Sequence, residues 1–133
     1  MSARPAMDAA VVDASALGAI LFNEPEGPAL AQRLGGAALT APRLLLYEIA
    51  NVCVTKVRRH PQLRDGLFAA FALLERFDIE FVDVDHREIV ALADRSGLTA
   101  YDASYLWLAR KLDAALVTLD AELAAAFNAK ASG

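Results

Sequence analysis

Four short runs, most of them strongly apolar, alternate along this chain with longer stretches of helical spacing, and two of them lead into an aspartate. Residues 9–13 read Ala-Ala-Val-Val-Asp, 37–40 read Ala-Ala-Leu-Thr, 79–84 read Ile-Glu-Phe-Val-Asp-Val, and 115–118 read Ala-Leu-Val-Thr. Short runs of this kind are strands buried on both faces. Such strands need a helical layer above and below them, and helices between successive strands make the sheet parallel. The expected fold is therefore α/β, a three-layer α/β/α sandwich around a central parallel sheet of four or five strands. Between the strands, helices are expected over 15–22, 29–34, 42–59, 62–77, 85–95, 100–112 and 121–127. Pro42 is assigned to the first turn of the third of these, and Gly35-Gly36 and Ser96-Gly97 act as stops. In open sheets of this kind, ligands bind beyond the carboxyl ends of the strands, near the switch point of strand order.

Composition narrows the class. The 133 residues suffice for one domain spanning 1–133 with its own core. At 56% hydrophobic and 23% charged residues the chain is not intrinsically disordered. A single cysteine, Cys53, excludes a disulfide framework and a cysteine-based zinc site. The longest strictly apolar stretch, Leu67 to Leu74, has eight residues, against about 20 for a membrane span. No secretory signal is visible before Asp8, so the expected location is cytoplasmic, with no membrane association. Thirteen basic against 17 acidic residues give a net charge of −4. That balance argues against nucleic-acid binding through a uniformly basic surface. It leaves room for an acidic site with local basic patches, such as Lys56, Arg58, Arg59 and Arg64, or Arg110 with Lys111.

Four acids occupy informative places. Asp13 ends the first strand, and Asp120 follows the fourth. Each is also readable as the N-cap of the helix after it, and for Asp120 taken alone that is the favoured reading. Glu48 lies within or beside the apolar stripe Leu45, Ile49, Val52 and Cys53, where a carboxylate is costly unless paired, protonated or bound to a cation. Asp102 stands three residues after Thr99, as in a capping box, on a helix whose Tyr101, Tyr105, Leu106 and Leu108 read as largely buried. Clustered carboxylates without a histidine partner suit a hard cation with oxygen ligands, Mg²⁺ or Mn²⁺. The chemistry such a cluster supports is metal-assisted phosphodiester hydrolysis.

At these residues the sequence resembles the PIN-domain family, and within it the VapC-type toxins of bacterial toxin–antitoxin pairs. The matching segments are Val11-Val12-Asp13-Ala14-Ser15-Ala16-Leu17, Leu46-Tyr47-Glu48-Ile49-Ala50-Asn51-Val52, Leu98-Thr99-Ala100-Tyr101-Asp102-Ala103-Ser104-Tyr105-Leu106 and Leu116-Val117-Thr118-Leu119-Asp120. Their order, with gaps of 35, 54 and 18 residues between the acids, fits the family over nearly the whole chain. The resemblance implies a Mg²⁺-dependent endoribonuclease, with Mn²⁺ as a substitute, acting on RNA and paired with a cognate antitoxin protein. It implies Asp13, Glu48, Asp102 and Asp120 as catalytic and metal-binding residues, Ser15 and Thr118 as supporting hydroxyls, and Asn51 as a supporting polar residue one turn beyond the glutamate. Members of the family begin their first strand almost at the initiator methionine. Residues 1–7 therefore read as an N-terminal extension, with Met7 the alternative start.

Other residues take structural readings. Asp85 with Glu88 reads as an N-cap and capping box, and Asp83 is its neighbour at the same strand end. His60 and His86 lack metal-ligand spacing and read as surface residues. Trp107, Phe68, Phe71 and Phe77 read as core or interface, and Cys53 as a small buried hydrophobe. The helices over 42–59 and 62–77 carry more apolar residues than one small sheet face should bury, which points to a homodimer. Two other functions compete with the nuclease. A haloacid-dehalogenase-like phosphatase wants a second acid two residues after the first aspartate, where Ser15 stands. A receiver-like interaction module needs an acid pair at the first strand and a lysine after the last, and neither is in place.

Overall fold

Strand β1, Ala9–Val12, is the axis of the molecule. Ala10, Val11 and Val12 have no solvent exposure, as an unbroken apolar run requires of a strand covered on both faces. In the computed structural model, which describes residues 8–129, β1 pairs in parallel with β2 (Ala38–Pro42) on one side and β4 (Ala115–Val117) on the other. Strand β3 (Ile79–Val82) lies beyond β2 and is also parallel, giving the order β3-β2-β1-β4. The question of an extension over residues 1–7 lies outside the described residues.

The connections fix the layers. Helices α1 (Ala14–Leu21) and α2 (Gly27–Leu34) link β1 to β2, and α3 (Leu44–Arg59) and α4 (Arg64–Ala72) link β2 to β3. Both crossovers step the same way across the sheet. Helices α5 (His86–Ser96) and α6 (Ala100–Leu112) then carry the chain from β3 back past β2 and β1 to β4. Parallel crossovers are right-handed almost without exception, so reversing the step puts the third pair of helices on the opposite face. The packing agrees: α1 touches α2 and α3, whereas α6 lies on β1, β2 and β4 beside α5 and α7 (Ala121–Ala129). The result is the expected three-layer α/β/α sandwich. The order reverses at β1, so the carboxyl ends of β1 and β4 form the switch point.

Local signals explain most boundaries. Asp13, Asp85 and Thr99 cap α1, α5 and α6 with side-chain oxygens on backbone N–H groups, and Gly97 closes α5 in the left-handed conformation. Leu45, Ile49 and Cys53 form the buried stripe of α3, with Val52 half-buried beside it. Three expectations are corrected. Pro42 is the last residue of β2 rather than the start of a helix. It faces Val82 of β3 and lies past Thr40, the last residue paired with β1, where its missing N–H leaves no bond of that ladder unmade. The helix expected over 62–77 is shorter: a 3₁₀ turn at Pro61–Leu63, then α4, then a second 3₁₀ turn at Leu73–Arg76. α4 buries none of its residues fully, so no core contact holds the α-helical period to the end. The capping box at Asp85 is half made, because the Glu88 carboxylate instead accepts from Trp107 Nε1 at 2.7 Å.

Gly27 is where α2 crosses the end of α1. A Cβ there would stand 2.6 Å from the backbone oxygen of Ala19. Neither backbone can yield without moving a helix, so Gly27→Ala is expected to destabilise the protein by about 1–3 kcal/mol. Chemical denaturation reads this directly, and an unchanged midpoint would show that the α1–α2 crossing is looser than described.

Candidate active site

Asp13 is only 5% exposed at the carboxyl end of β1. Three donors meet its carboxylate, two on Oδ1 and one on Oδ2. Oδ1 accepts from Ser15 Oγ at 2.8 Å and from the Ala16 backbone N–H at 3.1 Å. Oδ2 accepts from the hydroxyl of Thr118, just past the end of β4. Its N-cap bond to Ala16 therefore coexists with bonds from the Ser15 and Thr118 hydroxyls. Burial nevertheless holds its pKa above the ordinary value, opposed by these three bonds and reinforced by the charge of Asp120.

The same hydroxyls organise the neighbouring loop. Ser15 Oγ accepts from the Leu119 N–H at 2.8 Å, and Thr118 Oγ1 accepts from the Asp120 N–H at 2.9 Å. These bonds pin the turn from β4 into α7 against the start of α1. Asp120 then caps α7, with Oδ1 accepting from the Leu123 N–H at 2.9 Å. Ser15 and Thr118 thus touch Asp13 and align the chain that carries Asp120.

Glu48 projects from the edge of the α3 stripe. Its Oε1 accepts from the hydroxyl of Tyr105 at 2.6 Å. Tyr105 is itself 1% exposed on α6, so this one bond joins the two helical layers at the rim of the sheet. Burial raises the Glu48 pKa, the Tyr105 bond lowers it, and the charges of Asp102 and Asp13 raise it further. Burial and the adjacent Glu48 carboxylate push the Tyr105 phenol well above its ordinary range, so it remains a proton donor to Glu48.

Asp102 resolves its two readings. Thr99 Oγ1 accepts from the Asp102 N–H at 3.1 Å, which is half of a capping box. The Asp102 carboxylate does not return the bond and has no hydrogen-bond partner among the described residues. Burial raises its pKa, followed by the charges of Asp120, Asp13 and Glu122.

These cross-effects bring the four acids together. The charge of Asp120 reaches Asp13 and Asp102, that of Asp13 reaches Asp102 and Glu48, and that of Asp102 reaches Glu48. Among the described residues no group of three or more His, Cys, Asp or Glu side chains is placed so that it could hold a metal ion as it stands. By donor type alone, an all-oxygen anionic set is one that suits a hard divalent cation. Asn51 is exposed and makes no side-chain hydrogen bond among the described residues, so no contact ties it to the cluster. Two participants escape a reading of the sequence. Glu122 adds a fifth charge, though two residues after Asp120 it looks like an ordinary acid in a first helical turn. Tyr105 reads as core, and only the facing Glu48 reveals the use of its hydroxyl. Tyr101, expected to be buried, is 62% exposed.

The profile of the PIN domain matches residues 10–127. The chain belongs to the PIN-domain family. Among curated relatives, this PIN domain is 33% identical to Ribonuclease VapC3 of Pyrobaculum aerophilum, over 90% of this chain and 95% of that protein. It is 37% identical to VapC ribonuclease Mb0985 of Mycobacterium bovis, over 85% and 87% respectively. A crystal structure of PAE2754 from Pyrobaculum aerophilum superposes with a TM-score of 0.71 at 28% identity, covering 91% of this chain and 87% of that one.

The raised pKa of Asp102 has a consequence for stability. Between the unfolded carboxyl value of about 3.9 and the raised folded value, the folded protein holds a proton that the unfolded chain has released. Its contribution to stability therefore falls as pH rises through that window. Asp102→Asn removes the charge without breaking a hydrogen bond. In metal-free buffer the variant should unfold at a higher temperature than the parent above the window, and the gap should close at the acid end. A gap independent of pH, followed by thermal unfolding in EDTA, would contradict the assignment.

Proposed function

We propose that this protein is a Mg²⁺-dependent endoribonuclease, the toxin of a toxin–antitoxin pair, acting in the cytoplasm. The observation that carries the reading is the convergence of Asp13, Glu48, Asp102 and Asp120 at the switch point of the sheet, in a PIN domain whose relatives are named ribonucleases. These four side chains would hold the cation, with Mn²⁺ a competent substitute. When bound, it supplies polarisation of a phosphodiester and a water of lowered pKa. The protein's own part is positional. Ser15, Thr118 and the Ala16 N–H fix the Asp13 carboxylate, the Tyr105 hydroxyl fixes Glu48, and the Asp120 carboxylate is oriented by its capping bond. Asp102, with no protein donor, is the acid whose oxygens are left for ligation. The same anionic cluster would accept an arginine, or a lysine, carried by an antitoxin, since a guanidinium forms paired hydrogen bonds with carboxylates.

A homodimer is part of this reading. α3, α4 and the turns around α4 expose Leu46, Val54, Leu63, Phe68 and Leu73, beside apolar hollows of about 560 and 210 Å³. Exposed apolar side chains grouped in this way mark interfaces, and light scattering reads the expected two-chain mass. The phosphatase reading is disfavoured by Ser15, whose hydroxyl is committed to Asp13 and Leu119.

Purified protein free of its antitoxin should cleave RNA with Mg²⁺ or Mn²⁺ and stop in EDTA. Asp13→Asn and Glu48→Gln should abolish cleavage. Glu48→Gln should fold as well as the parent, because the amide oxygen can still accept from Tyr105. Tyr105→Phe should lower activity by about 10–100-fold, the usual cost of losing a partner behind a ligand, with the pH profile shifted because Glu48 loses its stabilising donor. Undiminished cleavage in chelator, or full activity in Glu48→Gln, would overturn the mechanism.

A further inference from the structure

Beside the carboxylates, at the same edge of the sheet, lies a cavity of about 330 Å³ that this chemistry leaves unused. It is built on the elements that carry the site. Leu44 lies four residues, about 6 Å of helical rise, before Glu48 on α3, and Tyr101 immediately precedes Asp102 on α6. Its lining combines apolar Leu44, Val82 and Ile89 with polar Arg43, His86 and Tyr101. An apolar slot of this size with a few convergent polar groups has the character of a small-ligand pocket.

The polar groups are unspent. Arg43 Nε donates to Asp83 Oδ1 at 3.0 Å, which orients the guanidinium. Its two terminal nitrogens meet no acceptor among the described residues. The Tyr101 hydroxyl and the His86 ring nitrogens likewise have no hydrogen-bond partner among them. Tyr101 offers an exposed aromatic face at the mouth. Single-stranded RNA is read by splaying a base onto such a face and bonding its edge. The two terminal nitrogens of an arginine match the paired acceptors O6 and N7 of guanine. Adenine places an amino donor where O6 would be, and pyrimidines lack N7.

We propose that this cavity is a base-binding subsite that holds one unstacked guanine of the RNA next to the scissile phosphate. Tyr101 is the stacking platform and Arg43, set by Asp83, is the reader. The inference rests on the ribonuclease reading for its substrate and adds to it a sequence preference.

Two measurements test it apart from that reading. In the first, a pool of short single-stranded RNAs with randomised positions is cleaved and the ends are sequenced. In the second, fluorescence anisotropy in EDTA compares a guanine-containing RNA hexamer with the same hexamer carrying 7-deazaguanine, which lacks N7. The parent protein should show guanine at one fixed position beside the cut and bind the guanine hexamer about tenfold more tightly than the deaza form. Arg43→Ala should flatten both preferences, and Tyr101→Ala should weaken binding of both hexamers. Both residues are exposed, and thermal unfolding confirms that the variants fold. No base preference beside the cut, or an undiminished one in folded Arg43→Ala, overturns the subsite while leaving the ribonuclease reading in place. Guanine-selective binding without cleavage by the parent protein keeps the subsite and overturns the ribonuclease reading. Neither selectivity nor cleavage overturns both.

Discussion

Everything at the working end of this molecule depends on the burial of one carboxylate, Asp13, between the ends of β1 and β4. A buried carboxylate is tolerated only when its oxygens are bonded. The three donors come from two places: the Ser15 hydroxyl and Ala16 N–H in the first turn of α1, and Thr118 on the far side of a 105-residue separation in sequence. Satisfying Asp13 therefore also closes the sheet at its switch point. Ser15 and Thr118 each face two ways, donating to Asp13 and accepting from the backbone of the β4–α7 turn. The placement of Asp120 is a by-product of that closure.

Around this fixed charge the other acids are arranged at increasing freedom. Glu48 is held by one short bond from a buried tyrosine, Asp120 by its cap, and Asp102 by nothing but its helix. The pKa values of Asp13, Glu48 and Asp102 are all raised, first by burial and then by one another or by Asp120. The fold thus stores electrostatic repulsion in a small region instead of relieving it with a lysine or arginine. Among the described residues, the basic side chains in ion pairs engage other acids: Arg43 with Asp83, Lys56 with Glu24, and Arg64 with Asp65. An anionic cluster left uncompensated by its own chain is suited to a cation from solution or to an arginine from a partner.

Much of this was legible from the residues. The apolar runs at 9–13 and 115–118 are buried strands because nothing polar interrupts them, and their order with the intervening helices dictates the layers. The acid on the apolar stripe of α3 announced itself by its cost. What failed to show was contact across the layers. That Tyr105 meets Glu48 and that Tyr101 faces solvent depend on how α6 rotates against the sheet, and that the charge of Glu122 reaches Asp102 depends on how α7 packs beside α6. Helical spacing alone does not fix that rotation. Pro42 misled for a similar reason, since proline is at home both in a first helical turn and at a strand end beyond its ladder. Asn51 shows the converse: a place in a family pattern gives a position on a helix, and here no contact accompanies it.

The central claim is that these carboxylates form a cation site whose repulsion the ion relieves. Mn²⁺ titration by calorimetry at mildly acidic pH, repeated in two buffers of different ionisation enthalpy, measures both binding and the protons it displaces. Raised carboxyl pKa values require that binding release protons, because the cation takes the place of partly held hydrogen ions. The account predicts saturable binding with proton release, both lost in Asp13→Asn. Saturable binding that Asp13→Asn leaves intact, or no saturable binding in the parent protein, would contradict it.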